Sequence, residues 1–260
     1  MSGASIINCK FDANLLYYRD DCNVIIPSAG KTSEMKVLYL LHGMHGTCHD
    51  WLTYTTIARL AETYNVAMVC PNAKNSFYAD MVYGESFYTY LTTEFIQYVR
   101  RIFGFSDKRE NNMIAGLSMG GYGALKIAFN NPDKFCVGGS FSGVLDMANI
   151  GNLLTGDEKT DNVNKTLFRN IYGEKLDIAG TGSDLIYLIE KNNTVNGYSV
   201  KDLQVYQYCG KSDFLHLFNL RFKKAAQSAG LNLKYATDEG AHEWERWSEQ
   251  IELFLKEYIK

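Results

Sequence analysis

The chain has 260 residues, a formal net charge of −3 and a sequence pI near 6.0. With 46% hydrophobic and 21% charged residues it has enough apolar surface to bury a full core. That balance excludes the basic stripe of a nucleic-acid binder, and no lysine-rich run or unbroken apolar stretch marks a membrane surface or span.

The opening MSGASIINCKFDANLLYY lacks a basic start followed by an apolar core, so no secretory signal is expected. Six cysteines are scattered singly without a C-x-x-C, as free thiols in a reducing cytoplasm would be, and a cytoplasmic location is expected. Three prolines, no repeat and no low-complexity tract predict a single domain over 1–260.

SIINCKF and CNVIIP read as opening strands, paired antiparallel. KVLYLLHG is a continuous apolar run ending in glycine, the pattern of a buried parallel strand. WLTYTTIARLAETYN reads as one helix and VAMVCPN as the next strand. SFYTYLTTEFIQYVRRIF has apolar residues at helical spacing and closes on two arginines. NMIAGLS is a strand running into the helix MGGYGALKIAFNN, which stops before Pro132, and FCVGGSFSG is another strand. Residues 147–200 break the rhythm: they are polar, rich in Gly, Asn and Asp, and carry short helical pieces. Then follow the strand LQVYQYCG, the helix FLHLFNLRFKKAAQSAG, the strand LNLKYATD and a last helix from HEWERW onward. This alternation predicts an α/β fold, a mostly parallel sheet of about eight strands with helices on both faces. The 147–200 segment is then a lid-like insertion over the strand ends, where sites of such sheets lie.

AGLSMGG contains G-x-S-x-G at Gly116 to Gly120. The pattern alone is weak, but here it follows a strand and opens a helix, the setting of a nucleophile elbow. So sharp a turn excludes bulk two residues either side of Ser118, and the glycines there comply. Serine needs a base. With the chain order serine, acid, histidine, only His216 and His242 qualify. His242 lies at the junction of the last strand and last helix, on the sheet edge of Ser118, whereas His216 falls within a helix; His242 is preferred. Asp213 follows the penultimate strand and is the preferred acid, with Asp146 and Asp238 as competitors and a helix N-cap as its plain alternative role.

With these three in order the chain resembles the "Putative esterase" family of α/β-hydrolases, that of esterase D, S-formylglutathione hydrolases, feruloyl esterases and mycolyltransferases. Within it the likeness is to bacterial tributyrin-type esterases. LYLLHGMHG with Trp51, FYADMVYG, IAGLSMGGYGALKIA, SFSG, CGKSDFL and GAHEWERW carry the resemblance over residues 37–247. It implies an α/β-hydrolase fold, Ser118 as nucleophile, Asp213 as acid, His242 as base, and an oxyanion hole of the Met44 and Met119 N–H groups. Expected contacts to substrate are Trp51, Tyr78, Asp80 and Tyr83, with Phe77 and Tyr88 also considered. The expected activity is hydrolysis of short-chain or aryl (feruloyl-type) esters through an acyl-enzyme, with S-formylglutathione hydrolysis or acyl transfer as the alternative. A binding protein on this scaffold would lack a triad member, and none is missing. No cofactor and no metal are expected: LLHGMHGTCHDW holds three histidines, but its glycines place them in a loop rather than on the helix that aligns zinc ligands. The expected partner is a small ester, with no nucleic acid and no membrane; a homo-oligomer is left open.

Overall fold

The computed structural model describes residues 3–153 and 158–259, with side chains described outside 151–163. Part of the expected 147–200 insertion, residues 154–157, therefore lies outside the described residues.

Two long strands open the chain, β1 (Ser5–Ala13) and β2 (Tyr18–Ile26), antiparallel as expected. Next come β3 (Lys36–Leu41), α1 (Asp50–Tyr54), α2 (Ile57–Tyr64) and β4 (Val66–Pro71). A helical stretch follows, α3 (Phe87–Tyr90) and α4 (Ile96–Phe103), joined by a π turn at Leu91–Phe95. Then come β5 (Asn112–Leu117), α5 (Met119–Asn130) and β6 (Val137–Phe141). The irregular segment holds α6 (Glu158–Tyr172), α7 (Leu185–Glu190) and a two-stranded ribbon, β7 (Thr194–Val195) with β8 (Tyr198–Ser199). The chain closes with β9 (Gln204–Tyr208), α8 (His216–Ser228), β10 (Leu233–Ala236) and α9 (Trp244–Tyr258).

The main sheet has eight strands in the order β1-β2-β4-β3-β5-β6-β9-β10. All neighbours from β4 to β10 are parallel, and the opening pair is antiparallel. The central strands are apolar throughout because helices cover both faces. On β3 the pleat sends Val37, Tyr39 and Leu41 into one core and Leu38 and Leu40 into the other. The first core is completed by Tyr122, Leu125 and Phe129 of α5 and Phe222 of α8; the second by Ile57 and Leu60 of α2 and Ile251 and Phe254 of α9. Among the described residues no helix is long and apolar enough to cross a membrane.

Two expected helices differ in detail. The stretch from Trp51 to Asn65 is two helices, because Thr55 is extended (φ −136°, ψ 172°). Its hydroxyl donates back to Trp51 O and accepts from Ile57 N–H, replacing the helical ladder locally. In the second helix the hydroxyls of Thr92 and Thr93, within the π turn, bond back to Tyr88 O and Thr89 O.

Every parallel strand from β3 to β10 ends on the same edge of the sheet. The segments that leave that edge carry Met44, Ser118, Ser142, Asp213 and His242.

Candidate active site

Ser118 connects β5 to α5 with φ 51° and ψ −120°, a conformation that side chains other than glycine avoid. The turn is held by Ser118 N–H to Phe141 O (2.9 Å) and Tyr122 N–H to Ser118 O (3.1 Å). Backbone packs on backbone around it. A Cβ on Gly116 would stand 2.5 Å from Gly120 O, and one on Gly120 would stand 2.6 Å from His42 O and closer still to Leu41 O. Gly120→Ala is therefore expected to cost about 2–3 kcal/mol, lowering Tm by roughly 5–10 °C, and to push the Leu41–His42 backbone out of place. Calorimetry and ester turnover on the same sample check both effects.

The Ser118 hydroxyl lies 3.0 Å from His242 Nε2, and His242 Nδ1 lies 2.9 Å from Asp213 Oδ2. The second Asp213 oxygen accepts from Leu215 N–H at 2.8 Å, so the carboxylate is fixed at both ends. Burial by itself raises the Asp213 pKa. The hydrogen bond and charge of His242 and the Leu215 N–H outweigh it, and the carboxyl is held below its ordinary value. The competing acids are engaged elsewhere. Asp146 pairs with Arg221 (3.2 Å), and Asp238 accepts from Tyr208 Oη (2.8 Å) and Gly240 N–H (2.7 Å). His216 begins α8.

The imidazole of His242 is packed between Phe214, 4.6 Å away between ring centres, and the edge of Trp247 at 4.8 Å. Trp247 Nε1 donates to Ser142 Oγ (3.1 Å), which anchors the start of α9 to the loop after β6. Phe214, Trp247 and Ser142 were not expected as supports, although all three lie within CGKSDFL, HEWERW and SFSG.

Met119 is the first residue of α5, so its N–H has no intrahelical acceptor and points with the positive end of the helix dipole. Met44 follows His42-Gly43. His42 is buried and holds this loop: Nδ1 donates to Gly43 O (2.7 Å), and Nε2 accepts from Ala73 N–H (3.0 Å). Burial lowers its pKa, in keeping with a neutral ring that donates at one nitrogen and accepts at the other. Of the other two histidines in that stretch, His45 hydrogen-bonds through its backbone N–H to Asn75 Oδ1 (2.7 Å). Asp21, Cys48 and His49 come within 4.8 Å of one another. Burial, the largest cause, and nearby carboxylates push the Cys48 thiol up to about 12.

A cavity of about 230 Å³ opens above Ser118, lined by Met44, Phe77, Val144, Ile150, Phe168 and Leu215 with Asn164 and Phe214. Ile150, Asn164 and Phe168 come from the 147–200 segment. The expected substrate contacts fall elsewhere. Trp51 is fully buried in the second core and donates to Leu41 O (3.1 Å). Tyr78 is fully buried and donates to His42 O (2.9 Å), a support for the Met44 loop. Tyr83 is exposed, and Asp80, tied to Thr89 (2.8 and 2.6 Å), lines a different cavity. Only Phe77 of the aromatics considered lines the Ser118 cavity, and Phe168, Val144, Ile150 and Leu215 were not foreseen.

A mostly parallel eight-stranded sheet that presents a strained serine at a strand-to-helix turn defines the α/β-hydrolase class. The chain belongs to the "Putative esterase" family, whose sequence model matches residues 19–257. It is similar to an acetyl esterase of Caldicellulosiruptor saccharolyticus, 32% identical over 221 residues covering 85% of this chain and 82% of that one. Among solved structures it is similar to the substrate-bound fluorophosphonate-binding serine hydrolase F of Staphylococcus aureus (28% identity, TM-score 0.86, 100% of each chain). It is likewise similar to the S-formylglutathione hydrolase of Staphylococcus aureus (28% identity, TM-score 0.84, 100% of each chain). The chain is a carboxylic ester hydrolase of the serine type.

Proposed function

We propose a carboxylesterase for short acyl groups, acetyl to butyryl, that works through an acyl-enzyme on Ser118. His242 takes the serine proton as the hydroxyl oxygen attacks the ester carbonyl, and gives it to the departing alcohol. Asp213 orients the imidazole and stabilises its protonated form. The N–H groups of Met44 and Met119 hold the oxyanion, each donor of this kind being worth about 3 kcal/mol. Water, deprotonated by His242, then attacks the acyl carbonyl, and His242 returns that proton to Ser118 Oγ as the acid leaves. The 147–200 segment acts as a lid that supplies part of the acyl cavity. Six free cysteines suit a reducing cytoplasm as the setting.

The observation that carries this reading is the unbroken hydrogen-bonded chain from Ser118 to Asp213, opening into a cavity of about 230 Å³ with an apolar lining. That volume suits a short acyl chain, and acetyl ester is the named substrate of the 32% identical relative. Aryl acyl groups are the second reading, favoured by Phe77, Phe168 and Phe214 in the lining. Thioester hydrolysis of S-formylglutathione has less support: among the described residues the lining carries no charged side chain to meet the charges of glutathione.

A panel of p-nitrophenyl esters from acetate to octanoate, with methyl ferulate and S-formylglutathione, tests the reading. The expected order of kcat/KM places acetate to butyrate first. A preference for ferulate or S-formylglutathione would replace it with the corresponding alternative. Phe168→Ala is expected to raise the octanoate-to-acetate ratio about tenfold or more, since one or two methylenes in an apolar site carry that much discrimination.

A further inference from the structure

Two turns beyond Ser118 on α5, Lys126 is only 4% exposed. Among the described residues its ammonium makes no hydrogen bond and no ion pair. Its Nζ instead lies 5.5, 5.8 and 6.0 Å from the ring centres of Tyr88, Tyr122 and Tyr172. Aromatic faces offset part of the cost of burying a cation but accept none of its three N–H donors in the ordinary way. A lysine near a surface normally sends its head to water. Here the head forms part of the wall of a cavity of about 260 Å³ whose rim includes Asp80, Thr181 and Gly182. Burial lowers the Lys126 pKa to about 7, opposed by the charge of Asp80.

Several polar groups around that cavity are already engaged. Tyr88 Oη accepts from Asn131 Nδ2 (2.9 Å), which leaves its own proton to give. Tyr122 Oη already donates to Ser183 O (2.8 Å), and Asp80 is taken by the N–H and hydroxyl of Thr89. The N–H donors of Lys126 and the proton of Tyr88 have no protein acceptor among the described residues and suit an anionic oxygen, while the Asp80 carboxylate and Asn130, whose Nδ2 donates to Lys126 O and Gly182 O, also line the cavity. The cavity is separate from the one above Ser118. Phe77 and Phe168 (4.9 Å between ring centres), with Tyr122 and Tyr172 packed behind them at 6.2 and 6.4 Å, form the partition.

We propose that this cavity is a second binding site, for a small organic carboxylate. Its oxygens take the N–H donors of Lys126 and the phenolic proton of Tyr88, and its body packs on the faces of Tyr88 and Tyr172. The volume suits an acid of about benzoate size. This site is independent of the chemistry assigned to Ser118.

The test uses the full chain with lysine 13C-labelled at Cε, whose NMR signal reports the charge of each amine. Lys126→Met identifies the Lys126 signal by its loss. Benzoate is expected to move that signal saturably toward the ammonium position at pH 8. Because the acid binds the charged amine, the titration midpoint should rise by about one pH unit when benzoate is about ten times its Kd. Inorganic phosphate is the parallel probe and is expected to leave the signal in place. A Lys126 signal unmoved by benzoate in the tens of millimolar overturns the proposal, and an equal response to phosphate overturns the organic ligand class. Benzoate affinity unchanged in Lys126→Met overturns the role of the amine. Should that variant fail to fold, the wild-type titration decides alone, with Tyr88→Phe expected to weaken benzoate several-fold.

Discussion

Replacing Ser118 with alanine is expected to lower kcat for p-nitrophenyl acetate by about a million-fold, the loss seen when a serine triad loses its nucleophile. The remaining rate, about a thousandfold or more over water, is what the proposed Met44 and Met119 donors and the cavity should still supply, since the substitution leaves them in place. A fluorophosphonate probe should label the native chain at Ser118 and leave the variant untouched. Stability should barely change, because alanine retains the Cβ that makes φ 51° and ψ −120° costly. Ser118→Gly separates the two effects. It is equally inactive, yet relief of the backbone strain should add about 1 kcal/mol, or roughly 2–4 °C in Tm. Ser118 thus occupies a position where the fold favours glycine. Native turnover in Ser118→Ala would remove the nucleophile from Ser118 altogether.

The parts of this molecule that were legible in the sequence are those where a local pattern and a topological rule agree. Ser118 was legible because glycines two residues to either side can only serve a sharp strand-to-helix turn. His242 and Asp213 were legible because each follows a strand that ends on the same edge. Continuous apolar runs identified β3, β4 and β5 for the same reason, since only strands buried on both faces read that way. The cavity lining was not legible. Phe168, Val144 and Leu215 are apolar residues in apolar surroundings, and nothing local separates a cavity wall from a packed core. Trp51 shows the converse: it adjoins the Met44 loop in sequence, but its ring turns under the sheet and bonds Leu41 O. The break at Thr55 depends on a hydroxyl that outcompetes the helix for a carbonyl, which a hydrophobic period cannot register. Lys126 escaped notice because a lysine on a helix ordinarily lies in water. Its burial follows from three tyrosines brought together from α3, α5 and α6.

Asp213→Asn is expected to lower kcat by about ten-thousandfold while leaving KM and the fold nearly unchanged, the magnitude known for the corresponding change in a serine protease. The size of the effect rests on a proton, not on the loss of a contact. In the native site Asp213 Oδ1 is committed to Leu215 N–H, and Oδ2 faces His242 Nδ1. An asparagine must keep its carbonyl oxygen on the Leu215 N–H, since its NH2 there would oppose another donor. Its NH2 group is therefore forced toward His242 Nδ1, which has to become the acceptor. The neutral ring then carries its proton on Nε2, the nitrogen 3.0 Å from Ser118 Oγ, and has no lone pair to receive the serine proton. Asp213→Ala should damage the site differently. The ring loses its tether but remains free to adopt either tautomer, so part of the activity lost in Asp213→Asn should return. The two variants measured side by side, with circular dichroism to verify the fold, decide the matter. Equal and small losses in both would mean that the buried carboxylate serves only as a cap for the turn at Leu215, and that the histidine is oriented by Phe214 and Trp247 alone.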